Sequence, residues 1–195
     1  MTLVDSLARA ICIVTAMSIA GAAHVLWLRS ALARSWLTPL DFGATLRGKR
    51  LFGENKKLRG LLVMPPATAL SFFGLGAARA RLPDWFAAGI WPVSDASLAC
   101  IGLLAGAAFM LAELPNSFVK RRLEIGPGKS AERGPLRVIF LWLDRFDSSI
   151  GCLAAISLCA PLSGMTWAWA LLLGALLHAV FSASLYFAGV KARLL

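Results

Sequence analysis

The sequence predicts an all-α fold. It reads as a polytopic integral membrane protein with five transmembrane helices, its N-terminus outside and its C-terminus cytoplasmic. Three observations carry this. Of 195 residues, 58% are hydrophobic and only 15% charged, against roughly 45–50% and 25% in an ordinary soluble domain. Apolar stretches near the roughly 20 residues that cross a bilayer recur five times. Under that count, seventeen of the 20 Lys and Arg residues fall on one side of the membrane, as the positive-inside rule requires.

The elements follow in chain order. The first span covers about residues 7–28. Its long apolar region and the basic segment after it read as a retained helix rather than a cleaved signal. The loop 29–60 carries eight cations, Arg29, Arg34, Arg47, Lys49, Arg50, Lys56, Lys57 and Arg59, and is placed in the cytoplasm. The second span, about 61–78, contains Pro65 and Pro66, which remove backbone donors and predict a kink. Arg79 and Arg81 follow on the outer side, with Trp85 and Trp91 expected in the interfacial aromatic belt.

The third span, about 96–114, ends beside Glu113. A second cytoplasmic loop, 115–137, carries Lys120, Arg121, Arg122, Lys129, Arg133 and Arg137. The fourth span, about 138–160, contains acids near its start. Pro161 and Gly164 make a short outer turn, with Trp167 and Trp169 in the belt. The fifth span, about 166–190, precedes Lys191 and Arg193. Residues 1–195 read as a single membrane domain in the inner (cytoplasmic) membrane, crossing it several times.

Several function classes have no support. Cys12, Cys100, Cys152 and Cys159 lack zinc-site spacing and read as small hydrophobes. The basic charge is interleaved with spans, so nucleic acid is not the expected partner. No Walker loop, Gly-x-Ser-x-Gly elbow or HExxH helix occurs. His24 and His178 stand alone in apolar spans and read as packing residues.

Acids inside spans are costly and usually mark function. Asp144 and Asp147 lie three apart, on one helix face. Two carboxylates there suit a hard oxygen site for Mg²⁺; a charged pair neutralised by Arg145 is the plain alternative. Glu113, Ser117, Lys120 and Arg121 fall on one stripe, an acid and a hydroxyl followed by two cations. Simple anchoring to anionic headgroups would account for the cations but not for Glu113. In the first loop, Gly48 to Gly60 combines glycines, which allow close backbone approach, with phosphate-binding cations.

Ser117-Phe118-Val119-Lys120-Arg121 followed by Asp144-Arg145-Phe146-Asp147-Ser148 resembles the signature of the phosphatidate cytidylyltransferase superfamily. Pro39-Leu40-Asp41-Phe42-Gly43, the Gly48–Lys56 loop and Arg59-Gly60 resemble its small five-span branch, the CDP-archaeol synthase family. Two departures stand out. Ala112-Glu113 replaces a Gly-Asp pair, and Lys57-Leu58 replaces Thr-Trp.

The resemblance implies transfer of a cytidylyl group from CTP to a lipid phosphate, giving a CDP-lipid and pyrophosphate. It implies Asp144, Asp147 and Lys120 as catalytic residues. It implies nucleotide contacts from Asn55, Lys56, Arg59, Ser117, Lys120 and Arg121. One or two Mg²⁺ ions would rest on Asp144, Asp147 and Glu113. CTP, a lipid phosphate and membrane lipids are the expected partners, and a homodimer is compatible with the pattern. The alternative is a non-catalytic lipid-binding or scaffold descendant. A CDP-alcohol phosphotransferase fits poorly, because no acid follows Asp147.

Overall fold

The computed structural model describes residues 2–127, 129 and 134–187, with side chains described as far as Val180. Arg133, Lys191 and Arg193, counted above among the cytoplasmic cations, lie outside the described residues, as does the end of the fifth predicted span. Five long helices account for the five apolar segments: α1 (Leu3–Leu28), α3 (Leu58–Ala78), α5 (Asp95–Leu111), α7 (Pro135–Cys159) and α8 (Gly164–Phe187). The shorter pieces are α2 (Ala31–Ser35), α4 (Asp84–Ala87), α6 (Glu113–Arg122) and a hairpin of β1 (Thr45–Leu46) and β2 (Lys49–Arg50).

Helix starts follow their capping chemistry. Thr2 caps α1 in a reciprocal box with Asp5, each backbone N–H answered by the other's side chain. Ser94 caps α5 through the Ser97 amide. α3 stays helical through Pro65 and Pro66. The buried Thr68 hydroxyl bonds the Met64 carbonyl one turn back, at 2.8 Å.

Packing runs through small residues. α3 lies against α5, where Gly102 and Gly106 face Thr68, Ala69 and Pro65 so closely that an added methyl would overlap them. α5 lies against α7, where Gly151 faces Ala108 and Ala112. α1 packs on α3 and α8, and α7 touches α8. The interior is built from Ala10, Ala16, Ala105, Leu98, Cys152 and Ile156, while Leu70, Leu158 and Val180 face outward. Small residues inside and large apolar ones outside suit a lipid solvent, in which van der Waals contact rather than water exclusion joins helices.

By length and composition, three helical segments can cross a membrane: Leu3–Leu28, Leu58–Arg81 and Asp95–Arg122. α8 contributes an apolar stretch over Gly164–Val180. α7 falls outside that description because Asp144, Arg145 and Asp147 interrupt its apolar run.

The stripe expected from Glu113 to Arg121 lies on α6, which continues the chain after a break at Ala112 and holds the motif on a helix. One expectation is corrected. Trp91 is no belt residue. It is buried, because the segment after α3 folds back over α1, where Arg9 stacks 4.9 Å from its ring centre. Gly89 makes this approach possible, since a methyl added there would overlap the Ala8 backbone. Trp85 is exposed.

Candidate active site

The first loop is tied down from three directions. At its base, Leu40 N–H donates to the Lys56 carbonyl at 2.7 Å and Leu58 N–H to the Thr38 carbonyl at 3.0 Å. This clamps residues 38–40 beside the entrance to α3 and fixes where Lys56 and Arg59 emerge. At its tip, Arg47 and Gly48 both take positive φ, 53° and 75°, as a tight two-residue hairpin turn demands. Across to α6, the Arg122 guanidinium donates to the carbonyls of Leu46, Lys49 (2.8 Å) and Arg50 (2.6 Å). Lys49 Nζ returns the contact to the Arg122 carbonyl at 3.1 Å.

Asp41 holds the loop's centre. Its buried carboxylate accepts from Gly43, Phe52 and Gly53 N–H at 3.1–3.2 Å and from the Arg50 guanidinium. Burial alone would raise its pKa. The Arg50 bond and the three amides outweigh that and hold it well below the usual carboxylate range. No role was read for Asp41 from the sequence, although an Asp two residues before a Gly is an Asx-turn signal.

The predicted acids and cations meet through a continuous chain of contacts. Lys120 Nζ, on α6, donates to both Asp144 oxygens at 2.5 and 2.6 Å. Asn116, one turn earlier, donates from a single Nδ2 to Asp144 (2.7 Å) and Asp147 (3.0 Å). Asp147 accepts from the Ser148 amide at 2.7 Å. The Ser148 hydroxyl reaches Glu113 Oε1 at 2.8 Å, and the other Glu113 oxygen pairs with Lys56. Asn116 and Ser148 are the residues sequence reasoning missed. Asn116 lies one helical turn before Lys120, which is the signal that could have found it.

Glu113 is thus joined to the aspartates through Ser148. Among the described residues, no three His, Cys, Asp or Glu side chains gather as a metal-binding group. The two aspartates do converge on one point, now filled by the Asn116 amide nitrogen. Asn116 Oδ1 is buried without a partner. With that amide turned over, its oxygen and the two carboxylates would form a hard donor set, which fits a cation such as Mg²⁺.

Asn55, Lys56, Arg59 and Arg121, among the predicted phosphate-binding residues, divide between two cavities. One, of about 180 Å³, is lined by Asn55, Lys56, Arg59 and Glu113 together with Leu28, Leu61 and Met110. One Arg59 nitrogen is committed to the Ala33 carbonyl. The other cavity, of about 390 Å³, lies between the hairpin and the end of α6 and includes Lys49, Arg50, Gly53 and Arg121. Arg121 is only 8% exposed, and its Nε and Nη1 have no acceptor. Lys120 and Ser117 are buried too. So α6 sends Lys120 toward the aspartates and Arg121 toward the hairpin.

Known proteins match this chain along most of its length. Residues 27–193 match the family described as CarS-like: CDP-archaeol synthase. A CDP-archaeol synthase from Thermofilum pendens is 34% identical over 136 residues, 69% of this chain and 54% of the relative. One from Pyrococcus furiosus is 33% identical over 95 residues, 48% of this chain and 51% of the relative. The matches thus span about half the length of these curated relatives. A solved structure, described as an intramembrane enzyme for archaeal membrane lipids biosynthesis, superposes with a TM-score of 0.55 at 28% identity, covering 88% of this chain and 91% of that one. With the paired aspartates, the Lys-Arg stripe and the clamped basic loop in place, the chain belongs to the CDP-archaeol synthase family.

Proposed function

We propose that this protein is a CTP:lipid-phosphate cytidylyltransferase. An oxygen of the lipid phosphate attacks the α-phosphorus of CTP and forms a new P–O bond. The bond between the α-phosphorus and the bridging oxygen breaks, and pyrophosphate leaves with the electron pair. Both reactants are anionic, so catalysis rests on positioning and charge neutralisation. The observation that carries this reading is Arg121, a buried guanidinium without an acceptor, next along α6 to the lysine that pairs with Asp144. Burying a charge without a partner is costly, and a phosphate would supply one.

In this reading Lys120, Arg121, Lys56 and Arg59 hold the phosphates of the two substrates, with Asn55 and Ser117 adding hydrogen bonds. Asp144 and Asp147 would hold a divalent cation with the Asn116 amide oxygen, Glu113 acting through Ser148. When bound, that cation supplies positive charge at the α-phosphate. Asn116 and Ser148 hold the two carboxylates aligned.

The charge asymmetry supports five crossings of the inner membrane, with the loop 29–60 and α6 in the cytoplasm, where CTP is found. The decisive experiment gives purified protein labelled CTP, Mg²⁺ and a panel of lipid phosphates, with mass spectrometry of the products. A CDP-lipid is expected. Absence of product across the panel, with no CTP-dependent thermal stabilisation, would instead support a non-catalytic lipid-binding descendant.

A further inference from the structure

The smaller cavity contains a group that the reaction scheme leaves unused. His24, on α1, lines it together with Lys56, Arg59 and Glu113. Its Nε2 is buried and has no hydrogen-bond partner. A buried polar nitrogen left unanswered is costly, so its persistence asks for a ligand. Gly60 brings α3 close to the ring: a methyl there would lie 3.8 Å from His24 Cε1 and would overlap Met110. Sequence reasoning passed over His24 because a lone histidine in an apolar run carries no spacing signal. It also lies outside the family match, which begins at residue 27.

The chemistry of the walls identifies the occupant. A nucleotide carries no aliphatic chain. This cavity is lined by the cations Lys56 and Arg59 and by the aliphatic Leu28, Leu61 and Met110. A phosphate monoester on an apolar tail matches both kinds of lining at once. The larger cavity beside Arg121 opens between the hairpin and α6 and includes Lys49 and Arg50, which suits a longer polyanion.

We propose that the His24 cavity is where the lipid phosphate binds, and that His24 Nε2 donates a hydrogen bond to its head. The assignment rests on the two-substrate reading above and deepens it. The nucleotide phosphates occupy the Arg121 side, and the lipid phosphate lies at the membrane end of α1 and α3. His24 discriminates a phosphate-bearing lipid from its neutral counterpart.

The test measures binding without turnover. Purified protein in dodecyl maltoside micelles is titrated with dioleoyl phosphatidic acid, a di-O-alkylglycerol phosphate, dioleoylglycerol, glycerol 3-phosphate, or CTP with Mg²⁺. The shift in unfolding temperature gives each dissociation constant. At least one lipid phosphate should bind more tightly than dioleoylglycerol, which lacks the phosphate, and than glycerol 3-phosphate, which lacks the tail. His24→Leu should weaken that lipid phosphate about tenfold, the scale of one charge-assisted hydrogen bond. It should leave the CTP response intact, which also shows that the variant folds. His24→Gln, whose amide reaches the Nε2 position, should recover most of the loss.

Unchanged lipid-phosphate binding in His24→Leu would overturn the proposal. So would a parallel loss of CTP binding, or lipid phosphates binding no better than dioleoylglycerol. Failure of CDP-lipid formation would instead strike the enzymatic reading, because binding is scored with no product required.

Discussion

Arg121 permits a prediction that reads differently with and without nucleotide. Two of its nitrogens are buried without acceptors, and each unanswered donor costs about 1–3 kcal/mol. Arg121→Met keeps most of the side chain's length and removes both donors. Replacing buried charge by an apolar group is often neutral or stabilising, by about 1–4 kcal/mol. Without nucleotide, the variant should therefore be about 1–3 kcal/mol more stable than wild type. For a chain of this size, each kcal/mol moves the unfolding midpoint by about 2–4 °C, so a rise of roughly 2–12 °C is expected in detergent. With CTP and Mg²⁺ that advantage should shrink by about 1.3 kcal/mol or more. Wild type gains about 2.7 kcal/mol at a ligand concentration 100 times its dissociation constant. The variant, lacking a charge-assisted contact, should need about tenfold or more CTP for the same gain. A variant less stable than wild type without nucleotide would refute the claim that Arg121 is unpaired. A variant with an intact CTP response would refute its assignment to phosphate.

Four further outcomes are expected. Asp147→Asn should lower CDP-lipid formation on the order of 100-fold while leaving the unfolding midpoint near wild type, measured by product assay and thermal unfolding. Gly151→Ala should destabilise by about 1–3 kcal/mol through overpacking, since the added methyl would lie 2.3 Å from the Ala112 side chain; unfolding in detergent reads this. Asp41 has a depressed folded pKa, so its contribution is whole above its unfolded value of about 3.9 and is lost as pH falls toward the folded one. Limited pepsin digestion should therefore cut the segment 44–56 little near pH 5 and readily near pH 2, whereas Asp41→Asn should be cut at both. A single cysteine placed at Thr45, in a background lacking the native four, should react with an impermeant maleimide only from the cytoplasmic face.

Much of the helical layout could be read from hydropathy, because a long apolar run has few alternatives to a helix in lipid. The five long helices begin within a few residues of the expected segments. The paired aspartates were legible because i and i+3 must share a helix face. What could not be read was the partnering. Spacing put Lys120 and Arg121 on a common stripe, yet neighbouring residues on a helix point about 100° apart, so Lys120 meets Asp144 while Arg121 lines the hairpin cavity. Glu113 fell within reach of Lys56 rather than of the aspartates because the loop base, clamped by Leu40 and Leu58, delivers Lys56 to the α5–α6 junction. Such long-range hydrogen bonds leave no periodic trace. Trp91 failed for a similar reason: aromatic content suggests an interface, while the fold-back over Arg9 is a tertiary event.

The Arg122 clasp also bears on how the protein is made. The hairpin carbonyls it satisfies belong to residues synthesised 72–76 positions earlier. At about 5–20 residues per second, the hairpin leaves the ribosome roughly 4–15 s before its partner exists. Through that interval the basic loop has only its own local turns and the Asp41 bonds to shape it. The larger cavity is therefore completed only after the third long helix has been made, so a chain stalled before residue 122 would carry the loop without that cavity.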